Sequence, residues 1–309
     1  MFNTPILFLI FNRLDTSLRV FAEIKKQQPK YLYIAADGAR THIEGEKQKC
    51  EEVKQQILGM IDWECELKTL FREENLGCGR AVSDAISWFF DKVEEGIILE
   101  DDCLPHSDFF KFTAELLDKH RNNPEISIIS GSKVDRKKHN KDSYYYSAYT
   151  HIWGWATWRR TWQLYTYDLD INNRDKLIER LNTLFKSNSH REFWMQIFDN
   201  MVEHKTDTWD YQLALQMILN GKLSIIPNTN LISNIGFGVD ATHTADSNSR
   251  VAHISTNSIY PLQHPTEIKR LRKADDYFYS RIVKGLFPVW FLKLKRAILK
   301  PFGITRIFN

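Results

Sequence analysis

Three adjacent carboxylates, Glu100, Asp101 and Asp102, directly follow the apolar run Gly96, Ile97, Ile98, Leu99. Like charges so placed repel one another, and a strand end gains nothing from them without a cation. A hard divalent ion, Mn²⁺ or Mg²⁺, held through one or two carboxylates and completed by phosphate oxygens, would resolve that repulsion. A solvated acidic turn, or a cap for the helix expected from about His106, is the competing reading. Asp207 and Asp210 flank Trp209 where another helix is expected to open. An acid beside a bulky aromatic can be shielded from water, as a general base for a hydroxyl requires. Helix capping is the alternative there, and it suits Asp207 better than Asp210.

Other polar residues have the same position relative to apolar runs. Asn12 and Arg13 follow the run 5–11, where a dinucleotide fold would carry Gly-x-Gly-x-x-Gly and a P-loop Gly-Lys-Ser/Thr. Arg13 could fork onto a phosphate or a base edge, or pair with Asp15 at the surface. Asp37, after the run 31–36, could accept from a nucleobase or ribose, or simply make a turn with Gly38. Asn75 to Arg80 carries glycines into a helix, which suits phosphate at a helix start, or is a plain loop. The stretch 230–244 is glycine-punctuated and contains His243, a candidate third metal ligand or diphosphate contact, or an ordinary loop histidine. Trp153, Trp155 and Trp158 could form a platform for a sugar ring or belong to the core.

The elements that must position these residues alternate. Strands are expected over 5–11, 31–36, 66–71 and 96–99, and helices over 16–28, 46–60 and from about 79. This alternation predicts an α/β fold with a mainly parallel sheet and helices on both faces. In such sheets ligands gather at the carboxyl ends of strands, so the Arg13, Asp37, Asn75 and Glu100 groups should open onto one edge. Further on, a helical stretch is expected over 174–204, a helix opening at Asp207 and stopping at Asn220, and a strand over 223–226.

With 309 residues the chain can bury a sizeable core, and 43% hydrophobic with 26% charged residues marks it as globular. A net charge of +3 gives no general case for nucleic acid. Cys50, Cys65, Cys78 and Cys103 include no Cys-x-x-Cys pair, which disfavours a zinc ribbon and favours reduced thiols in a cytoplasmic protein. The N-terminal apolar run lacks the basic and small-residue flanks of a signal peptide, and no run is long enough to span a bilayer.

Taken together the motifs resemble the GT-A-fold glycosyltransferases, above all the N-acetylglucosaminyltransferase I type, with likeness to bacterial family-2 enzymes. Leu99 to Asp102 with Pro105 to Phe110 is similar to that family's Glu-Asp-Asp and Pro-Asp-Phe-Phe-like helix start. Asn12-Arg13, Ala36-Asp37, Trp153-Gly154-Trp155, Trp209-Asp210 and Ile232-Ser233 resemble its later motifs, in order over roughly 5–245, and 75–80 resembles the Asn-x-Gly turn of family 2. The resemblance implies a nucleotide-sugar donor, with UDP its expected nucleotide, and inversion at the sugar carbon. It implies Asp102 as direct ligand of Mn²⁺ or Mg²⁺, Glu100 and Asp101 on ribose or donor sugar, and Arg13, Asp37, Asn75, Arg80 and Ser233 among the donor contacts. The family's base sits where this chain has Tyr211, so the role passes to Asp210, with Asp207 in reserve.

From residue 277 onward the chain has no acid, and bases such as Lys293, Lys295 and Arg296 interleave with Phe287, Trp290 and Phe291. Such a segment can lie on an anionic membrane surface, or pack as a terminal helix with a basic outer face. Two parts are therefore expected: a GT-A-like domain over 1–250 and a membrane-associating extension over 251–309. A peripheral place on the inner face of the plasma membrane would suit a saccharide or lipid-linked saccharide acceptor in bacterial polysaccharide assembly. The rivals are a sugar-phosphate nucleotidyltransferase, which would want a basic glycine-rich loop after the first strand, and a noncatalytic sugar-binding protein.

Overall fold

The run Ile6–Ile10 (β1) is buried at every position, as a strand covered on both faces must be. Ile6, Phe8 and Ile10 enter one core cluster with Val20, Phe21 and Ile24, while Leu7 and Leu9 enter another with Ala85, Ile86 and Phe89. That period of two is the geometry of a pleated strand. The computed structural model describes residues 1–237, 251–252 and 254–284.

After β1 come α1 (Leu14–Gln27), β2 (Tyr31–Ala36), α2 (Glu46–Gly59), β3 (Glu66–Phe71), α3 (Gly77–Phe90) and β4 (Glu95–Glu100). A short β5 (Cys103–Pro105), α4 (Ser107–His120), β6 (Ile126–Ser130), β7 (Tyr144–Ser147) and β8 (Trp155–Trp158) follow. The chain continues through α5 (Arg159–Trp162), α6 (Arg174–Leu184), α7 (Asn188–Val202), α8 (Asp210–Leu219), β9 (Leu223–Pro227), β10 (Ile232–Asn234) and α9 (Arg272–Phe278). The main sheet has eight strands in the order β3-β2-β1-β4-β8-β6-β9-β7. Parallel pairing joins β3 to β2, β2 to β1, β1 to β4 and β6 to β9, and β8 and β7 run against their neighbours. The α/β class, the mostly parallel sheet and helices on both faces are thus as the sequence predicts.

The second half differs from the reading of its sequence. The expected helix over 174–204 is two helices, because Phe185 is extended and fully buried, and Arg191 Nη1 donates to its carbonyl at 2.7 Å. The tyrosine run and the tryptophan segment are strands, and Trp155 and Trp158 belong to the core. The helix expected at Asp207 begins at Asp210.

No boundary in packing appears after residue 250 among the described residues. Ile259 joins the main core, Asn230 Nδ2 donates to Ile254 O at 3.2 Å, and Asp108 accepts from Ser258 Oγ at 2.6 Å. Asp275, buried in α9, accepts from Ser147 Oγ at 2.6 Å and Arg270 Nε at 2.6 Å. Residues 254–284 therefore pack on the body, and the tail residues expected to meet a membrane, such as Trp290, lie outside the described residues. No helix among the described residues is long and apolar enough to cross a membrane.

Burial also fixes an acid limit. His120 and His151 are buried with pKa values lowered to about 4, and His190, packed between Phe185 and Tyr279, is lowered to about 3. Unfolded histidine titrates near 6.5. Below that value the unfolded chain takes up protons that the folded chain refuses, so this stability is full above pH 6.5 and drains as pH falls towards 4. Each histidine withdraws about 1.4 kcal/mol per pH unit in that window. Glu100 and Asp101, whose pKa values are raised, act in the opposite sense, so the effect is read by difference. In His120→Phe the slope of unfolding free energy between pH 6.5 and 4 should flatten by about that amount. An unchanged slope in denaturant titrations would contradict a neutral buried His120.

Candidate active site

Parallel register sets the carboxyl ends of the central strands side by side: Ile10 pairs with Ala36 and Leu9 with Glu100. Residues just beyond these pairs must therefore share one edge. A cavity of about 360 Å³ opens there, between the strand ends and the start of α3. Arg13, Asp37, Asn75, Glu100, Asp101 and Asp207, expected from different stretches of sequence, all line it. Asp102 stands immediately beside it, joined to Arg13.

Arg13 organises the acids. Its Nη2 lies 3.0 Å from Asp101 Oδ1 and its Nη1 3.3 Å from Asp102 Oδ2. Asp101 also accepts from Phe11 N at 3.3 Å, so its carboxylate is turned inward. Burial pushes the Asp101 carboxyl up to about 7 against the pull of Arg13. Glu100 is held well above the usual carboxylate range by burial, then by the charges of Asp102, Asp101 and Asp210. Asp210, distant in sequence, is thus close enough for its charge to act on Glu100. Gly236 closes over it: a Cβ there would come within 2.3 Å of Asp102 Oδ2 and 2.6 Å of Arg13 Nη1.

A divalent cation could be held here only with part of its shell supplied by a ligand. Among the described residues no group of three or more His, Cys, Asp or Glu side chains is arranged so that it could hold a metal ion by itself. Mg²⁺ and similar ions are commonly held by one or two carboxylates with substrate phosphates completing the shell. Asp102 and Glu100, crowded by like charge, suit that mode, whereas Asp101 is committed to Arg13 and Phe11. His243 lies outside the described residues.

The start of α3 does not offer the open phosphate cradle expected of it. Asp37 accepts from Leu76 N at 3.1 Å and Gly77 N at 3.2 Å, besides Gly38 N at 3.0 Å. Asn75 Nδ2 ties the same carboxylate at 2.9 Å. From the far side Asp207 accepts from Gly79 N at 2.9 Å. A helix N-terminus has unsatisfied amides and favours anions, and here the chain supplies carboxylates of its own. Asp37 and Asn75 therefore hold the loop 75–77 to the end of β2, with their polar atoms already engaged. Arg80 points away from the cavity, stacked 4.1 Å over the Tyr167 ring and 3.2 Å from Asp168, and it does not line the site.

Asp207 and Asp210 separate into different roles. Asp207 caps α3, while Asp210 opens α8, where Thr208 Oγ1 donates to its Oδ1. Trp209 between them is buried and stacks on Trp155 at 5.7 Å. Ser233 pairs with Leu104 across β10 and β5 and does not line the cavity, although its strand carries Gly236 to Asp102.

Other lining residues gave no sequence signal. Arg40 is gripped by Glu46, a carboxylate 1% exposed that also accepts from Asn12 Nδ2 at 2.8 Å and Arg40 N at 2.7 Å. The Arg40 guanidinium then lies 5.6 Å from the centre of the Phe11 ring, at the cavity wall. Arg72 lines the cavity and faces Asp84 at 3.7 Å. Cys78 is in the α3 wall, its thiol pushed up by burial and the nearby acids. Glu46 reads in sequence as one surface acid of a charged helix, and only the fold brings it under Asn12.

No family matches the chain, and no curated protein does. Solved structures that match include the mannosyltransferase PcManGT from Pyrobaculum calidifontis in complex with GDP-Man and Mn²⁺, at 10% identity and TM-score 0.38, covering 70% of this chain and 69% of that one. TarS 1–349 of S. aureus matches at 12% identity and TM-score 0.36, covering 62% of this chain and 54% of that one. A UDP-glucose pyrophosphorylase complexed with UDP-glucose matches at 9% identity and TM-score 0.38, covering 72% and 90%. Glycosyltransferases and nucleotidyltransferases thus stand side by side among the matches, and likeness at this level assigns neither activity to this chain.

Proposed function

We propose that this chain transfers a sugar from a nucleoside diphosphate donor to an acceptor hydroxyl. One observation carries the reading: Glu100, Asp101 and Asp102 crowd around Arg13 at the strand-end cavity, and the charge of Asp210 reaches Glu100. The cavity arginines bring no spare charge, since Arg13, Arg40 and Arg72 each already face a carboxylate. An anionic diphosphate could enter such a site only with a cation beside it.

Asp102, with Glu100, would hold Mn²⁺ or Mg²⁺, which when bound offsets the negative charge that develops on the leaving diphosphate. The protein's own part is positioning. Asp101 fixes Arg13, and Arg13 in turn aims Asp102. The Glu46–Asn12–Arg40 network sets the cavity wall beside Phe11, where the nucleoside is placed. Asp210, oriented by Thr208 and backed by buried Trp209, takes the proton from the acceptor hydroxyl. Asp207 remains a helix cap.

A nucleotidyltransferase would instead release pyrophosphate. Phe11, Asn12 and Arg13 run straight into α1 without a basic glycine-rich loop, which disfavours that chemistry. The deciding experiment incubates the protein with UDP- and GDP-sugars and Mn²⁺, and separates nucleoside diphosphate from pyrophosphate as product. Diphosphate release that chelation abolishes and Mn²⁺ restores is expected. Pyrophosphate formation from a sugar phosphate and a nucleoside triphosphate, or no turnover and no nucleotide binding, would sink the proposal.

A further inference from the structure

Strand β8 runs antiparallel to β4, with Ile98 opposite Trp155. The Trp153-Gly154 turn comes just before that pair, with Gly154 against Leu99 near the end of β4. Gly154 has φ +60°, and a Cβ on it would lie 2.4 Å from Ile232 Cδ1 and 3.1 Å from Leu99 Cδ2. Only glycine fits this turn, and the turn takes Trp153 out of the strand. Trp155 and Trp158 are core, whereas Trp153 stays half-buried and meets the half-buried Phe237 edge-on, with centroids 5.9 Å apart and planes at 86°. Phe237 follows Gly236, whose backbone rests on Asp102. Through Gly236 the pair is neighbour to Asp102 on the β8 side of β4, while the cavity lies over β1 and β2 on the other side.

We propose that Trp153 and Phe237 form the platform for a sugar ring of the acceptor, which makes the acceptor class a saccharide. This rests on the transferase reading above. The C–H face of a pyranose is apolar, and an aromatic pair offers it large contact area at small conformational cost, with polar groups close by for the hydroxyls. Here Asp102 and Arg13, both against Gly236 beside Phe237, are such groups. An acceptor recognised through a phosphate alone would have no use for the pair.

The test uses the full chain, with methyl glycosides of glucose, galactose and N-acetylglucosamine as probes for saturation-transfer NMR. UDP and GDP binding is followed in parallel by thermal shift with Mn²⁺. In the wild type, saturation should reach the ring C–H protons of at least one glycoside. Trp153→Ala should reduce that signal at least tenfold, Trp153→Tyr should largely keep it, and nucleotide binding should stay unchanged in both. Phe237→Ala provides a second variant with the same expected loss should Trp153→Ala fold poorly. Undiminished glycoside binding in the alanine variants overturns the platform, as does a wild type that binds nucleotide but no glycoside. A wild type that binds no nucleotide sinks the transferase reading, and the acceptor role of the platform with it.

Discussion

Asp102→Asn should abolish the response to divalent cation while leaving the fold intact. Sugar release from the donor should fall about 10²- to 10³-fold, the scale seen when one preorganised electrostatic contact to a developing charge is removed. The physical reason is local. Asp102 is the acid of the cluster that Gly236 covers, and it is aimed by two long contacts, Arg13 Nη1 at 3.3 Å from its Oδ2 and Cys103 Sγ donating to its Oδ1 at 3.4 Å. Asp101 keeps Arg13 in place in the variant, because its own contact at 3.0 Å is untouched. Without cation the variant should differ little from the wild type in stability, since the like charge removed from beside Glu100 is offset by the charge lost from beside Arg13. With Mn²⁺ and nucleotide the wild type should gain about 3 kcal/mol at one hundred times the dissociation constant, and the variant should not. Thermal melts with and without both ligands measure this. A variant that keeps the Mn²⁺-dependent gain would remove Asp102 from the metal site.

Asp210→Asn and Asp207→Asn should fail in different ways. Removing a general base lowers turnover about 10²- to 10⁴-fold, so Asp210→Asn should lose transfer to acceptor while nucleotide binding persists. Asp207→Asn removes a charged partner of Gly79 N at the start of α3, 2.9 Å away. Asn can still accept from Gly79 N, so only the charge at the helix start is lost, about 0.3–1 kcal/mol, and the main effect should be a slightly lower denaturation midpoint, with turnover reduced less than about tenfold. Kinetics and denaturant titrations on both variants separate the roles. Should Asp207→Asn prove the more damaging to turnover, the base assignment passes to it and the capping role becomes secondary.

The sequence by itself determined the α/β alternation of the first hundred residues. The strand at Tyr31–Ala36 lies where the apolar run places it, because a buried parallel strand must be apolar along its length. Glu66–Phe71, an exposed edge strand, is marked instead by its mixed polar and apolar residues and its place in the alternation. It also determined that the acids follow a buried strand, and hence which edge of the sheet carries the site. Aromatic continuity hid the later strands. Tyr144–Ser147 and Trp155–Trp158 lack the alternation of a half-exposed strand, and their pairing with β9 and β4 depends on partners far along the chain.

Only the tertiary structure decided what each acid does. Glu100, Asp101 and Asp102 are alike as residues, yet packing turns Asp101 onto Arg13 and Phe11 N, lifts the Glu100 carboxyl by burial and like charge, and leaves Asp102 under Gly236. Asp37 and Asp207 likewise became helix caps, because α3 brings its unsatisfied amides to both of them. A carboxylate's task is set by which charges and donors surround it, and those neighbours come from elements scattered across the chain.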